Sequence, residues 1–193
     1  MTADSSGNDI LAVGVPVTGF IGIAPYGTTI PTPSGGAAEP LVLDPAFKKL
    51  GLLKTDGGPQ FAYAADGDPI EFWQDSYSIP TGLANVTLTV SIAEALNTNV
   101  RELIAGATVD VNGYLEYDGG GHATKYVVFT EEIFKNGAIR RRVCPNVQVQ
   151  GITEDQSNRG QVNGQQLVFE ILRDAAVNGN HFGEWVLPAA SGS

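Results

Sequence analysis

The chain predicts a mainly β fold, an antiparallel β-sandwich or barrel-like pair of sheets with one flanking α-helix. Three observations carry that expectation. Several segments alternate apolar and polar residues with the period of two that a half-buried strand requires. Glycine and proline, 24 and 11 of 193 residues, exceed their usual combined share by about half, which supplies the turns that many short strands need. One stretch alone, "SIAEALNTNVRELIAG", switches to helical spacing.

The elements follow in order. The first residues, "MTADSSGNDI", are small and polar, so 1–16 read as a flexible arm. They lack the basic and apolar regions of a signal peptide, which predicts a chain used without export. "VTGFIGIAP" is the first strand. A long extended loop, about 26–59, comes next, rich in proline and glycine around one apolar cluster. Within it "DPAFKKLG" predicts a helical turn capped by Asp44, with Pro45 at the first position and Gly51 at the stop. A loop of this length in a small domain has a use of its own.

Gln60–Ala64 and Pro69–Ser78 read as short strands around "DGD". In "NVTLTVSI", Val86, Leu88, Val90 and Ile92 share one face; Asn85, Thr87, Thr89 and Ser91 share the other. Ser91 and Glu94 form a capping-box pair, so the helix is expected over about 92–105. Leu96, Val100, Leu103 and Ile104 make its apolar stripe, and Gly106 its stop. That stripe is expected to cover the outer apolar face of the sheet. Asn112-Gly113 and Asn136-Gly137 are hairpin signals. "AIRRRVCPNVQVQGI" puts Ile139, Val143, Val147 and Val149 on one face, with Arg140, Arg142, Asn146, Gln148 and Gln150 on the other. Pro145 inside it marks a bulge or an edge. "GQQLVFEILRD" is the last strand. The domain therefore spans 17–174, and 175–193 is left as a C-terminal extension.

Charge and composition exclude several functions. A net charge of −10 repels phosphate backbones and opposes tight nucleic-acid binding. A single cysteine, Cys144, rules out an internal disulfide or a cysteine-based zinc cage. No apolar run approaches the roughly 20 residues of a membrane helix. The only histidines, His122 and His181, lack metal-ligand spacing, even with Asp118 or Glu184 added. Asp66, Asp68 and Asp118 sit in turn sequences without the ordered ligands of a calcium loop. Arg140, Arg141 and Arg142 are expected to pair with acidic groups, within the chain or across an interface. No nucleophile–base set emerges, so no cofactor, metal or catalytic residue is assigned, and the chain reads as a structural or binding protein.

The order of its pieces resembles the major tail tube proteins of long-tailed, non-contractile (siphovirus) bacteriophages. The resemblance rests on "GFIGIAPYGTTIPT", "FKKLGLLKTDGG", "SIAEALNTNVRELIAG" and "RRRVCPNVQVQGI…GQQLVFEILRD", and it covers roughly Val17 to Asp174. It implies a virion protein assembled in the host cytoplasm, forming homohexameric rings that stack into a hollow tube. It implies contact with tail terminator, tail tip and tape-measure proteins, and DNA that passes during ejection without tight binding. Six copies at −10 each would put −60 on a ring. On that reading Asn85, Thr87, Thr89, Gln148 and Gln150 are the lumen-facing candidates. Ile30, Leu41, Leu43 and Phe47 in the long loop are the inter-subunit candidates, the alternative being a lid on their own domain. Two rivals stand beside it: another ring- or capsid-associated assembly protein, and a carbohydrate-binding β-sandwich. The second needs aligned exposed aromatics, which Trp73, Tyr77, Tyr114, Tyr117 and Trp185 do not provide in sequence.

Overall fold

A computed structural model describes residues 5–74, 76–118 and 123–189. Its strands are β1 (Pro16–Pro25), β2 (Lys48–Lys49), β3 (Gln60–Asp66), β4 (Ile70–Glu71), β5 (Ser78–Ile79), β6 (Leu83–Ile92), β7 (Tyr126–Phe134), β8 (Ile139–Glu154), β9 (Gln165–Ile171) and β10 (Gly183–Leu187). Two short α-helices accompany them, α1 (Pro33–Ala37) and α2 (Thr98–Ala105). The mainly β, antiparallel architecture expected from the sequence is the one observed.

One sheet runs β2-β1-β7-β8-β9-β6-β3, and β10 joins it on β8. β8 is the spine. Its first part, Ile139–Val143, pairs with β10 along the side where its second part, Val147–Glu154, pairs with β9. Pro145 falls at the switch. There the register against β7 jumps, from Val128 opposite Cys144 to Tyr126 opposite Val147. The missing amide hydrogen of proline is tolerated because the bulge interrupts the ladder there.

The sheet curls so that β1 and β7 share a core with β6 and β9. Ile21, Ile23, Val128 and Cys144 meet Val86, Leu88, Val90, Leu167 and Phe169 in one buried cluster. The chain after β2 then crosses between the two halves. Leu50 N donates to Ile21 O (3.0 Å), and Ala93 N donates to Leu52 O (2.8 Å). This crossing makes the sheet barrel-like at that end.

The same crossing moves the start of the helix. The sequence places it near Ile92, but β6 runs through Ile92, which pairs with Gln165 and bridges Leu53. Backbone pairing on both sides outweighs the local capping signal of Ser91. Glu94 serves another purpose: its carboxylate accepts from Leu52 N (2.7 Å) and Asn97 Nδ2 (2.8 Å). Asn97 caps α2 in its place, accepting from Asn99 N (3.0 Å), and Gly106 ends the helix in the left-handed conformation, φ 64°, as glycine readily does. Val100 and Leu103 enter the main core, whereas Leu96 is 91% exposed. The helix therefore plugs the core and does not cover the outer face of the sheet.

Asn97 first, then Leu52, hold the Glu94 carboxyl below the ordinary range. A depressed folded-state pKa means its support is complete above the unfolded value and is lost as pH falls through the folded one. Glu94→Gln is therefore expected to flatten the acid limb of thermal stability, read as melting temperature against pH for both proteins.

The outer apolar face is covered by the long loop. Ile30, Leu41, Leu43 and Phe47, together with Phe20, Val177 and Trp185, pack over Val127, Phe129 and Val143. The four residues named above as inter-subunit candidates thus sit on their own domain, in the lid arrangement. Asp44 caps its turn by accepting from Ala46 N (2.9 Å), but the turn leads into β2 and not into a helix. Thr32 caps α1, accepting from Gly35 N (3.1 Å). Trp185 Nε1 donates to Pro33 O (2.8 Å), and the indole lies so close to Gly36 that a Cβ there would stand 2.3 Å from the ring. Arg141, 3% exposed, is tied to Glu131 at 2.7 Å and donates to Gly36 O and Ala38 O, both at 2.9 Å.

Other expectations also change. Asn112-Gly113 turns without flanking strands, because Asp110 Oδ1 accepts from both Asn112 N and Tyr114 N. Pro69–Ser78 is no sheet strand but part of the small β4–β5 hairpin. The sheet continues past 174: β10 lies wholly within the stretch left as an extension, opposite Ile139–Val143. No helix among the described residues is long and apolar enough to cross a membrane.

Candidate functional site

The distinctive surface is the open face of the half-sheet β3-β6-β9 and the second part of β8. Directly paired residues of antiparallel strands share a face, so the register assigns its members. Gln148 opposes Glu170, Glu170 opposes Thr87, and Thr87 opposes Ala62. The neighbouring row is Gly151, Val168, Thr89 and Gln60. Thr153, Gln166 and Ser91 form a third row, and Asn85 with Ala64 a fourth. The opposite parity of the same strands, Val86, Leu88, Val90, Leu167 and Phe169, is buried. One face fills the core; the other is open.

Four of the five lumen-facing candidates, Asn85, Thr87, Thr89 and Gln148, come together here. Gln150 behaves differently. The register shifts between Val149 and Gly151, so Gln150 is the extra residue of a bulge and is exposed there. Simple alternation cannot follow a face through such an insertion. Sequence reading missed Gln60, Thr153, Gln166 and Glu170, although the period-two pattern of "GQQLVFEI" already held the signal for two of them.

The chemistry of this face is mostly polar. Its side chains are amides, hydroxyls and small groups with Val168 among them, its charges are Glu170 and Asp66 at the strand end, and none of these register positions is lysine or arginine. Phosphate contacts by lysine and arginine dominate nucleic-acid affinity, and this surface offers none. The basic triplet is used elsewhere. Arg140 binds Glu132 through two bonds (2.8 and 2.9 Å), Arg142 binds Glu184 (2.5 Å), and Arg141 faces the lid from the opposite side of the sheet. The pairing expected of these three arginines is met within the chain.

The remaining reactive groups lie apart from this face. Cys144 is fully buried, and burial pushes its thiol pKa far up, so it stays protonated and inert. His122 lies outside the described residues. His181 has its pKa lowered, first by burial and then by Arg173. Among the described residues no cluster of three histidine, cysteine or carboxylate side chains could hold a metal. The aromatics named for carbohydrate binding do not converge. Trp185 packs under the lid, Trp73 and Tyr77 belong to the β4–β5 hairpin segment, and Tyr114 and Tyr117 follow α2.

Comparison with known proteins gives three results. No curated protein matches the chain. Among solved structures, a chain from "Virion of native gene transfer agent (GTA) particle" aligns with a TM-score of 0.37 and 11% identity, covering 66% of this chain and 85% of that one. Residues 6–189 match the family described as "Phage tail tube protein", including β10 and most of the N-terminal arm. The chain belongs to the phage tail tube protein family, and so is a structural component of a virion tail.

Proposed function

We propose that copies of this chain close into homohexameric rings that stack into a hollow tube, and that the open face of β3-β6-β9-β8 lines the channel through which DNA leaves. One observation carries this reading: a four-stranded face, apolar beneath and hydrophilic above, with no cation among its paired positions. Four strands from each of six copies make a barrel of about 24, beyond the 16–18 that already leave an aqueous channel. Such closure also gives a partner to the outer edge of β3, which pairs only with β6 among the described residues. A wall of amides and hydroxyls with scattered acids neither binds a polyanion nor dries against it, so DNA slides.

The lid supports the same picture from the other side. With Val127, Phe129 and Val143 already covered, the subunit turns a finished surface outward and a channel wall inward. Assembly in the host cytoplasm and contacts with terminator, tip and tape-measure proteins complete the reading. Negative-stain electron microscopy of the concentrated protein tests it. Hollow filaments of constant width are the expected result; monomers that persist at high concentration would refute it.

A further inference from the structure

The segment 66–80 leaves the sheet where β3 ends and β6 begins, and none of its described residues belongs to either core cluster. Among the described residues β4 and β5 pair only with each other, Ile70 opposite Ile79 and Glu71 opposite Ser78. Trp73 is 98% exposed, and Ile70, Phe72, Tyr77 and Ile79 are all exposed as well. Monomeric proteins rarely leave such an apolar cluster bare. The same segment carries Asp66, Asp68, Glu71 and Asp75 and no base. It is an acidic, aromatic finger without a place on its own domain.

A matching surface lies at the other end of β6. There α2, the end of β1 and the turn before β2 enclose a cavity of about 310 Å³, lined by Ile23, Pro25, Leu103, Ala107 and Tyr126 with Lys48 at its side. Lys125 stands next to it over the Tyr26 ring (5.6 Å). Neither lysine has an ion pair among the described residues. Glu102, the acid in the lining, is engaged by Val109 N (3.1 Å). Finger and cavity are thus complementary in both polarity and charge.

They cannot meet within one subunit. β6 has ten residues, and at roughly 3.3 Å per residue its ends stand about 30 Å apart. The geometry points to a head-to-tail contact in which the 66–80 finger of one copy seats Trp73 in the α2 cavity of a second copy in the adjacent ring. Barrel strands tilt by about 35–45° from the axis, so the ends of a channel-lining β6 are separated largely along the tube. Contacts of this head-to-tail kind propagate without limit. The inference rests on the tube reading and adds to it the element and the receptor that join successive rings. The exposed finger takes the bridging role first expected of the long loop.

Cross-linking tests it. Chains carrying Gln74→Cys, an exposed neighbour that leaves Trp73 in place, and Ala107→Cys are mixed and treated with a short bis-maleimide. Cys144 is buried and gives no background. Covalent dimers in the mixture, and none with either variant alone, are the expected result. No dimer in the mixture, or equal dimer in a single variant, overturns the inference. In parallel, Trp73→Ala is expected to raise the concentration needed for tubes about thirtyfold, the size of an interface hot spot, while single rings still form. Normal stacking by Trp73→Ala refutes the finger contact alone. Wild-type protein that never forms rings or tubes refutes the tube reading itself.

Discussion

Placing lysine at Thr87, Thr89 and Gln148 together is expected to arrest DNA ejection while leaving the subunit folded. All three lie on the open face, two in β6 and one in β8, with core residues only on the opposite parity. Surface substitutions of this kind change stability by about 0.5 kcal/mol or less. Gln148 also donates to Ala123 O (3.1 Å), a single partly exposed bond whose loss is modest. The effect on DNA is of another order. In the proposed hexameric ring each substitution would add six cations to every layer of the tube. Every phosphate neutralised by a cation steepens the dependence of log K on log salt by roughly 0.9 for B-DNA. The check is the time course of DNA release from particles carrying the variant, at low and high salt. Ejection should stall at low salt and recover as salt rises. Release at the wild-type rate in low salt would mean that this face does not line the channel. The matching triple glutamate variant is expected to eject normally, since a few more acids change little on a chain already at −10.

Arg141→Ala is expected to lower the stability of the subunit by about 3–5 kcal/mol, the usual loss when one partner of a buried ion pair is removed. Arg141 is 3% exposed and does three things at once. It neutralises Glu131, and it satisfies the carbonyls of Gly36 and Ala38 as α1 ends. Without it the carboxylate of Glu131 stays enclosed and unpaired, and the lid loses its polar attachment. Urea unfolding followed through Trp185, which packs against Gly36, measures both the global loss and any early release of the lid. A paired change, Arg141→Met with Glu131→Leu, should recover much of the stability, because the desolvation penalty disappears with both charges. A single-variant loss below about 1 kcal/mol would show that the lid is held by its apolar side chains alone.

Much of the fold was legible in the sequence. Strand positions follow from the period of two, because a strand buried on one face must alternate. β1, β6, β7, β8 and β9 were readable in this way, and Pro145, which cannot donate, marked a bulge or an edge, of which the structure shows the bulge. The cation-free face was half legible for the same reason. Thr87 and Thr89 share parity, and parity survives folding. Gln150 escaped because a bulge resets the alternation, and Gln60 joins the face only through cross-strand pairing.

Tertiary structure decided the rest. The local signal at Ser91 and Glu94 asked for a helix, yet β6 ran on because two neighbouring segments offered backbone partners that a helix would have forfeited. The apolar cluster of the long loop fixes that something must cover those side chains but not which molecule supplies the cover; Val127, Phe129, Val143 and the indole of Trp185 supply it. The short strand Gly183–Leu187 has too few residues to show a period, and it exists because Ile139–Val143 left an edge beside it. Sequence alone determined which residues want burial and at what spacing. Only the folded chain decided which buried face met which, since that choice depends on edges and partners far apart along the chain.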